Sequence, residues 1–111
     1  MYYIYILYSK GSDKYYIGLT SNVTRRLEEH NDPSGFNKFT SKYLPWDLML
    51  DFEVSDSRGE AQIVERFIKK QKSRLFLEKL IAQKDNPDFF VTLINNILAK
   101  QLVRAIPRTR D

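Results

Sequence analysis

Tyr2-Tyr3-Ile4-Tyr5-Ile6-Leu7-Tyr8-Ser9 and, shortly after it, Lys14-Tyr15-Tyr16-Ile17-Gly18-Leu19-Thr20 form the stretch whose reading decides the fold. Both runs are aromatic and β-branched, the composition of buried strands. The intervening Gly11-Ser12-Asp13 is a turn signal and is too short for a crossover helix, so the runs should pair antiparallel as a hairpin. Alternation puts Tyr3, Tyr5 and Leu7 on one face of the first strand and Tyr2, Ile4, Ile6 and Tyr8 on the other. On the second strand Tyr16, Gly18 and Thr20 oppose Tyr15, Ile17 and Leu19. Gly18 is unusual inside a strand, where glycine marks a bulge or the close approach of another group.

Outward from the hairpin, Asn22 is the N-cap of an amphipathic helix that carries Val23, Arg25, Arg26, Leu27 and His30. Arg26 and His30 are four residues apart and share a face. Asp32-Pro33-Ser34-Gly35 ends that helix. Phe36–Pro45 is polar with scattered aromatics (Phe36, Phe39, Tyr43) and reads as a long loop, a length that is often functional. Trp46–Val54 supplies a third strand with Leu48, Leu50, Phe52 and Val54 on one face. Ser57 and Glu60 then fit a capping box. The helix behind them has Ala61, Val64, Phe67, Ile68 and Gln71 as its stripe and Glu65 at the margin. Leu75, Phe76, Leu80 and Ile81 mark a further short helix. Asn86-Pro87 interrupts it, and Asp88 is read as the cap of a last helix with Phe89, Leu93, Ile94, Ile97 and Leu98 facing inward. The order ββα, loop, β, helices predicts an α+β domain, a small three-stranded antiparallel sheet flanked by helices.

The 111 residues suit one domain. There is no cysteine, which removes disulfides and thiolate metal sites. No apolar stretch approaches the roughly 20 residues of a membrane helix, and the start Met1-Tyr2-Tyr3 lacks a charged leader, so a cytoplasmic protein with no membrane partner is expected. The net charge of +4 is unevenly spread: residues 1–54 hold six Lys/Arg against seven Asp/Glu, and residues 55–111 hold twelve against seven. The excess lies in Arg66, Lys69, Lys70, Lys72 and Arg74 and in Arg104, Arg108 and Arg110. Such clusters attract a polyanion, although a solvated helix face has the same composition.

Tyr5, Tyr16, Arg26, His30 and Glu65 are the polar residues that could carry chemistry. Each alone has an ordinary explanation: strand tyrosines pack in cores, a helix-end histidine caps, and a glutamate beside a stripe pairs with a neighbouring cation. Together they supply what phosphodiester hydrolysis needs. An arginine offers fixed donors to a phosphate. A carboxylate can hold Mg²⁺, and a tyrosine or histidine on a rigid element can move a proton. Spacing does not show that the five converge.

Tyr3-Ile4-Tyr5, Tyr16-Ile17-Gly18, the helix from Asn22 to His30 and the segment Glu65-Arg66-Phe67-Ile68-Lys69-Lys70-Gln71-Lys72 occur in the order found in GIY-YIG nuclease domains. The chain resembles the small stand-alone bacterial members over residues 1–85. That resemblance implies an endonuclease that cuts DNA at one divalent ion, Mg²⁺ or Mn²⁺, with repair or recombination as its setting. Tyr5, helped by His30, would activate the water, Tyr16 would lie near the scissile phosphate, and Arg26 would stabilise its charge. Glu65 would be the metal ligand, and Gly18 would permit close packing beside the site. Arg25, Lys69, Lys70, Lys72 and Arg74 would bind DNA. The family's glycine in the first motif is Tyr3 here, and the asparagine that some members carry has only Asn86, Asn95 and Asn96 as candidates. Residues 86–104 are expected as a helix packed on the domain or used as an interface, its 88–98 stretch for a homodimer or a protein partner. Residues 105–111 are expected as a basic tail. The competing reading is a non-catalytic nucleic-acid-binding or partner-recruiting module on the same fold.

Overall fold

The computed structural model describes residues 1–35 and 37–105. Phe36 and the tail from residue 106, with Arg108 and Arg110, lie outside the described residues. Three strands, β1 (Tyr2–Ser9), β2 (Lys14–Thr20) and β3 (Asp47–Ser55), form one antiparallel sheet in the order β2-β1-β3. The helices are α1 (Val23–His30), α2 (Arg58–Lys70), α3 (Arg74–Ala82) and α4 (Pro87–Ala105). The α+β architecture and the hairpin read from the sequence are those observed.

β1 is paired along both edges, and both of its faces are covered as well. Ile4 and Ile6 point into a core with Leu50, Phe52, Val64, Ile68, Leu77, Leu80, Phe90, Ile94 and Ile97, which joins β1 and β3 to α2, α3 and α4. Each such aliphatic or aromatic side chain contributes about 1.5–3 kcal/mol by leaving water. On the opposite face Tyr5 and Leu7 pack with Trp46 against Tyr16, Val23, Leu27 and Tyr43. The two faces of one strand therefore serve two cores.

One side-chain assignment on β3 changes. Ile6 pairs with Leu50, but Leu7 pairs with Leu48, so the register skips Met49. A skipped residue reverses the alternation beyond it. Leu48 thus leaves the face of Leu50, Phe52 and Val54, where strict alternation puts it, and joins Leu7 on the other.

The helix ends follow their caps. The Asn22 side chain accepts from the Arg25 amide at 3.0 Å, and Ser57 Oγ accepts from the Glu60 amide at 3.3 Å. The return half of that capping box runs through Ser55, whose hydroxyl donates to Glu60 Oε1 at 2.7 Å and accepts from the Ser57 amide at 2.9 Å. Ser73 caps α3 by accepting from the Phe76 amide. In α4 Pro87 is already helical, so Asp88 stands in the first turn rather than at the cap. A proline there loses nothing, since its missing N–H would have had no intrahelical partner. Phe90, Ile94 and Ile97 of α4 lie in the main core, so the stripe on the 88–98 stretch is used within the chain.

Candidate active site

Tyr5 stands opposite Gly18 across the hairpin. A Cβ built at Gly18 would fall on the Tyr5 ring; the glycine is there because the phenol occupies its side-chain space. The ring extends over β2 toward the end of α1, where the Tyr5 hydroxyl meets His30 Nε2 at 2.7 Å. The other ring nitrogen, His30 Nδ1, lies 3.0 Å from Thr40 Oγ1. Thr40 Oγ1 donates to the Asn37 carbonyl at 3.4 Å, which leaves its lone pairs able to accept from Nδ1–H, and with that tautomer Nε2 accepts from Tyr5.

Thr40 is fully buried in a short 3-10 turn, Thr40–Lys42, and its carbonyl accepts from the Trp46 indole at 2.8 Å. Asn31, just after α1, brackets the Trp46 backbone with two hydrogen bonds of 2.7 and 3.0 Å. The loop is therefore folded under the end of α1 and holds His30 from below. Burial pushes the His30 imidazole below its ordinary value, and Arg26 adds to that. Burial, with Tyr16 next, pushes the Tyr5 phenol well above the usual tyrosine range. At neutral pH the pair is an uncharged donor and an uncharged acceptor.

Tyr16 lies against both, its ring centroid 4.9 Å from His30 and 6.4 Å from Tyr5. Arg26, on the face of α1 shared with His30, and Glu65, on α2, are half-buried, and the charge of each acts on the Tyr5 hydroxyl. These two line one polar hollow of about 310 Å³, together with Arg25, Arg58, Gln62 and Thr20. The structure brings Tyr5, Tyr16, Gly18, Arg26 and His30 into one cluster and sets Glu65 at its border.

The sequence matches the model of the GIY-YIG catalytic domain over residues 1–80. The chain belongs to the GIY-YIG family. It is 36% identical over 89 residues to the UPF0213 protein CPE1444 of Clostridium perfringens (strain 13 / Type A), which covers 77% of this chain and 92% of that protein. It is 38% identical over 73 residues to the UPF0213 protein SpyM50708 of Streptococcus pyogenes serotype M5 (strain Manfredo), 65% of this chain and 75% of that one. No solved structure matches the chain. GIY-YIG domains are nuclease domains, and the elements carrying the site all lie inside the matched span.

For this GIY-YIG chain the donor set can be tested against a divalent ion. Among the described residues no group of three or more His, Asp or Glu could enclose a metal. Glu65 stands alone, its side chain 18% exposed, with Lys69 Nζ 3.4 Å from Oε2 as counter-ion. A single carboxylate suits Mg²⁺, which keeps several waters and takes its remaining ligands from substrate phosphates; it does not suit zinc.

The other residues proposed for the site are scattered. Arg25 lines the hollow and pairs with Glu29 at 3.4 Å. Lys69 and Lys72 line a second groove with Arg74, whereas Lys70 faces a hollow between α2 and α4. Arg74 binds Asp13 through both ends of its guanidinium, at 2.6 Å to the carboxylate and 2.6 Å to the carbonyl, so it ties α3 to the hairpin turn. Asn86, Asn95 and Asn96 are exposed, and none of them lines the hollow with Glu65. Sequence reasoning missed Thr40, Arg58 and Gln62. The last two had a signal: Arg58, Gln62, Glu65 and Lys69 recur at i, i+4, i+7 and i+11, one polar stripe on α2. Thr40 had none beyond its place in a long loop.

Proposed function

We propose that this chain is a divalent-metal-dependent DNA endonuclease, acting in repair or recombination, that hydrolyses a phosphodiester bond at the cluster around Tyr5. The observation that carries this reading is the buried bond between the Tyr5 hydroxyl and His30 Nε2. A phenol held protonated by burial is a poor base by itself. Coupled to an unprotonated imidazole, it becomes a relay: as a water attacks phosphorus, its proton passes to the Tyr5 oxygen while the Tyr5 proton moves to His30 Nε2. Thr40 keeps Nδ1 protonated, so Nε2 has a lone pair to offer.

Arg26 lies in the hollow where a phosphate would sit and offers its donors to the charge developing on the phosphoryl oxygens. Tyr16, packed against Tyr5 and His30, would hold a phosphate oxygen through its hydroxyl. Glu65 would hold the ion, which when bound supplies positive charge to the phosphate and the leaving oxygen. The single bond from Lys69 is a surface contact that a divalent ion readily displaces.

The test is cleavage of linear, nicked, flapped and branched DNA by wild type, Glu65→Gln and Tyr5→Phe, each with Mg²⁺ and with EDTA. Wild type with Mg²⁺ should cut at least one of these, and the variants and the chelated enzyme should not. Cutting that survives in EDTA, or in both variants, removes the assigned site. Folding should be indifferent to the chelator, since one carboxylate holds no structure together.

A further inference from the structure

Along the β2 edge runs a groove of about 370 Å³ that no step of the hydrolysis uses. Lys14, Lys69, Lys72 and Arg74 line it, with Ile17 and Phe39 in its walls. Asp13 is the acidic residue among them, and Arg74 neutralises it. Two contacts connect the groove to the active site: Lys69 reaches Glu65, and the Phe39 ring is stacked on Tyr16 with centroids 6.1 Å apart and planes at 29°. The hollow that holds Arg26 lies at the Leu19-Thr20 end of the same strand, and the groove lies at its Lys14-Tyr15 end. β2 spans about 20 Å at the usual rise per residue, so the hollow that Glu65 lines and the groove lie toward opposite ends of one strand, joined by the Lys69–Glu65 pair.

The Phe39 ring packs against Tyr16, Tyr43 and Trp46, and two features of the groove go beyond that packing. Phe39 is 45% exposed, yet its amide donates to Asn37 Oδ1 at 2.8 Å and its carbonyl accepts from Lys42, so the ring is presented on a fixed turn. Lys72, two residues past the end of α2, has φ 48, a left-handed position where glycine is the low-cost residue.

We propose that this groove receives an unpaired DNA strand leaving the active site, with one base packed on the exposed part of the Phe39 ring and neighbouring phosphates on Lys14, Lys69 and Lys72. The inference rests on the nuclease reading above and narrows its substrate to DNA with a single-stranded segment beside the cut, such as a flap, a fork or a free strand. A paired base has both faces covered by its stacked neighbours, whereas an unpaired base offers a face to an aromatic ring, whatever its identity. Lysines track the backbone beside it without reading sequence. Recognition is therefore by strand state and is tolerant of sequence.

The experiment measures binding of the full chain, in EDTA so that nothing is cut, to a fluorescent 15-nucleotide single strand and to the matching duplex over a salt series. Wild type should bind the single strand more tightly. Phe39→Ala should weaken that binding at least about fivefold, the worth of one base–aromatic stack, and leave duplex binding within twofold. Phe39→Tyr should restore it, and Phe39→Leu, which keeps apolar packing, should not. Lys72→Gly should leave the melting temperature unchanged or raised, since it relieves a left-handed lysine, while weakening single-strand binding and lowering the salt slope by about one. Wild-type single-strand affinity in Phe39→Ala and Phe39→Leu overturns the proposal, as does an equal loss on duplex. The nuclease reading fails separately: if wild type cuts no DNA with Mg²⁺ but binding still depends on Phe39, the groove stands and the hydrolysis does not. If cleavage stands and Phe39 is indifferent, only the groove falls.

Discussion

Ile6 and Tyr5 are neighbours on β1, yet they belong to different chemical environments. Ile6 faces a dry core of aliphatic and aromatic side chains under α2, α3 and α4. Tyr5 faces a smaller cluster in which Gly18 lies under its ring, His30 meets its hydroxyl and Thr40 backs His30. The period-two geometry of a central strand lets one backbone anchor both, so whatever fixes Ile4 and Ile6 also fixes Tyr5. A hydroxyl built this way inherits the rigidity of the main core without sharing its composition, and positional rigidity is what the proposed proton relay requires.

Substitutions at adjacent positions separate the two environments, and the largest effects belong to the site. Glu65→Gln should remove Mg²⁺-dependent cleavage, a loss beyond about 10³-fold, while melting stays close to wild type because the Lys69 pair is a surface contact. Tyr5→Phe should slow cleavage by about 10²–10⁴. It leaves the buried His30 Nε2 without its donor, so about 1–3 kcal/mol of stability goes as well. Ile6→Ala, one residue further, should reverse the pattern: about 2–5 kcal/mol lost to a core cavity, with a cleavage rate near wild type well below its melting temperature. Thermal melting paired with cleavage rates decides this; if both neighbours move rate and stability in the same proportion, the two faces are not separate.

Gly18→Ala tests the seam between the faces. Its methyl would meet the Tyr5 ring rather than solvent, so the strand or the ring must shift. Overpacking of this kind costs about 1–3 kcal/mol, and a displaced Tyr5 hydroxyl loses its 2.7 Å bond to His30. Cleavage should fall at least tenfold, and Tyr5→Phe should add little to a chain that already carries Gly18→Ala. Independent, multiplicative losses would separate the glycine from the relay.

The same contrast explains how much could be read from the sequence. The main core was legible because Ile4, Ile6, Leu50, Phe52, Val64 and Ile68 obey the periods of their own elements. Caps such as Asn22 and Ser57 act over three residues and are equally local. Tyr5, Tyr16, Arg26 and His30 could be named from motif spacing, yet their meeting depends on contacts 25 residues apart in the chain for Tyr5 and His30. Thr40 and Trp46 were hidden for the same reason, since a loop that folds by binding Asn31 and His30 has no period to announce it. The skipped Met49 was invisible because Leu48 and Leu50 are equally apolar, so composition could not show that they face opposite ways. Arg74 looked like any basic residue of a cluster until Asp13, 61 positions earlier, was found against it.

The smallest expected effect concerns the loop and the protonation of His30. In the fold its imidazole is held below the ordinary value near 6.5, so the neutral form persists into mildly acid solution. The acid limb of cleavage should therefore lie below that value. Stability follows the same sign: above the unfolded value neither state binds the proton, and as pH falls through the window between the unfolded and folded values the unfolded chain takes it up first, so the fold weakens. Thr40→Val keeps the shape but removes the acceptor at Nδ1, which frees His30 to place its proton on Nε2, the nitrogen that must receive from Tyr5. The turnover rate should drop by about tenfold with little change in KM, a modest part of what proton transfer contributes. Thr40→Ser, which retains the hydroxyl, should recover most of it. Imidazole ¹⁵N shifts report the tautomer directly: a shift of the proton from Nδ1 to Nε2 in Thr40→Val, absent in Thr40→Ser, places the rate loss in the relay, whereas an unchanged tautomer with a lower melting temperature reduces Thr40 to a packing residue.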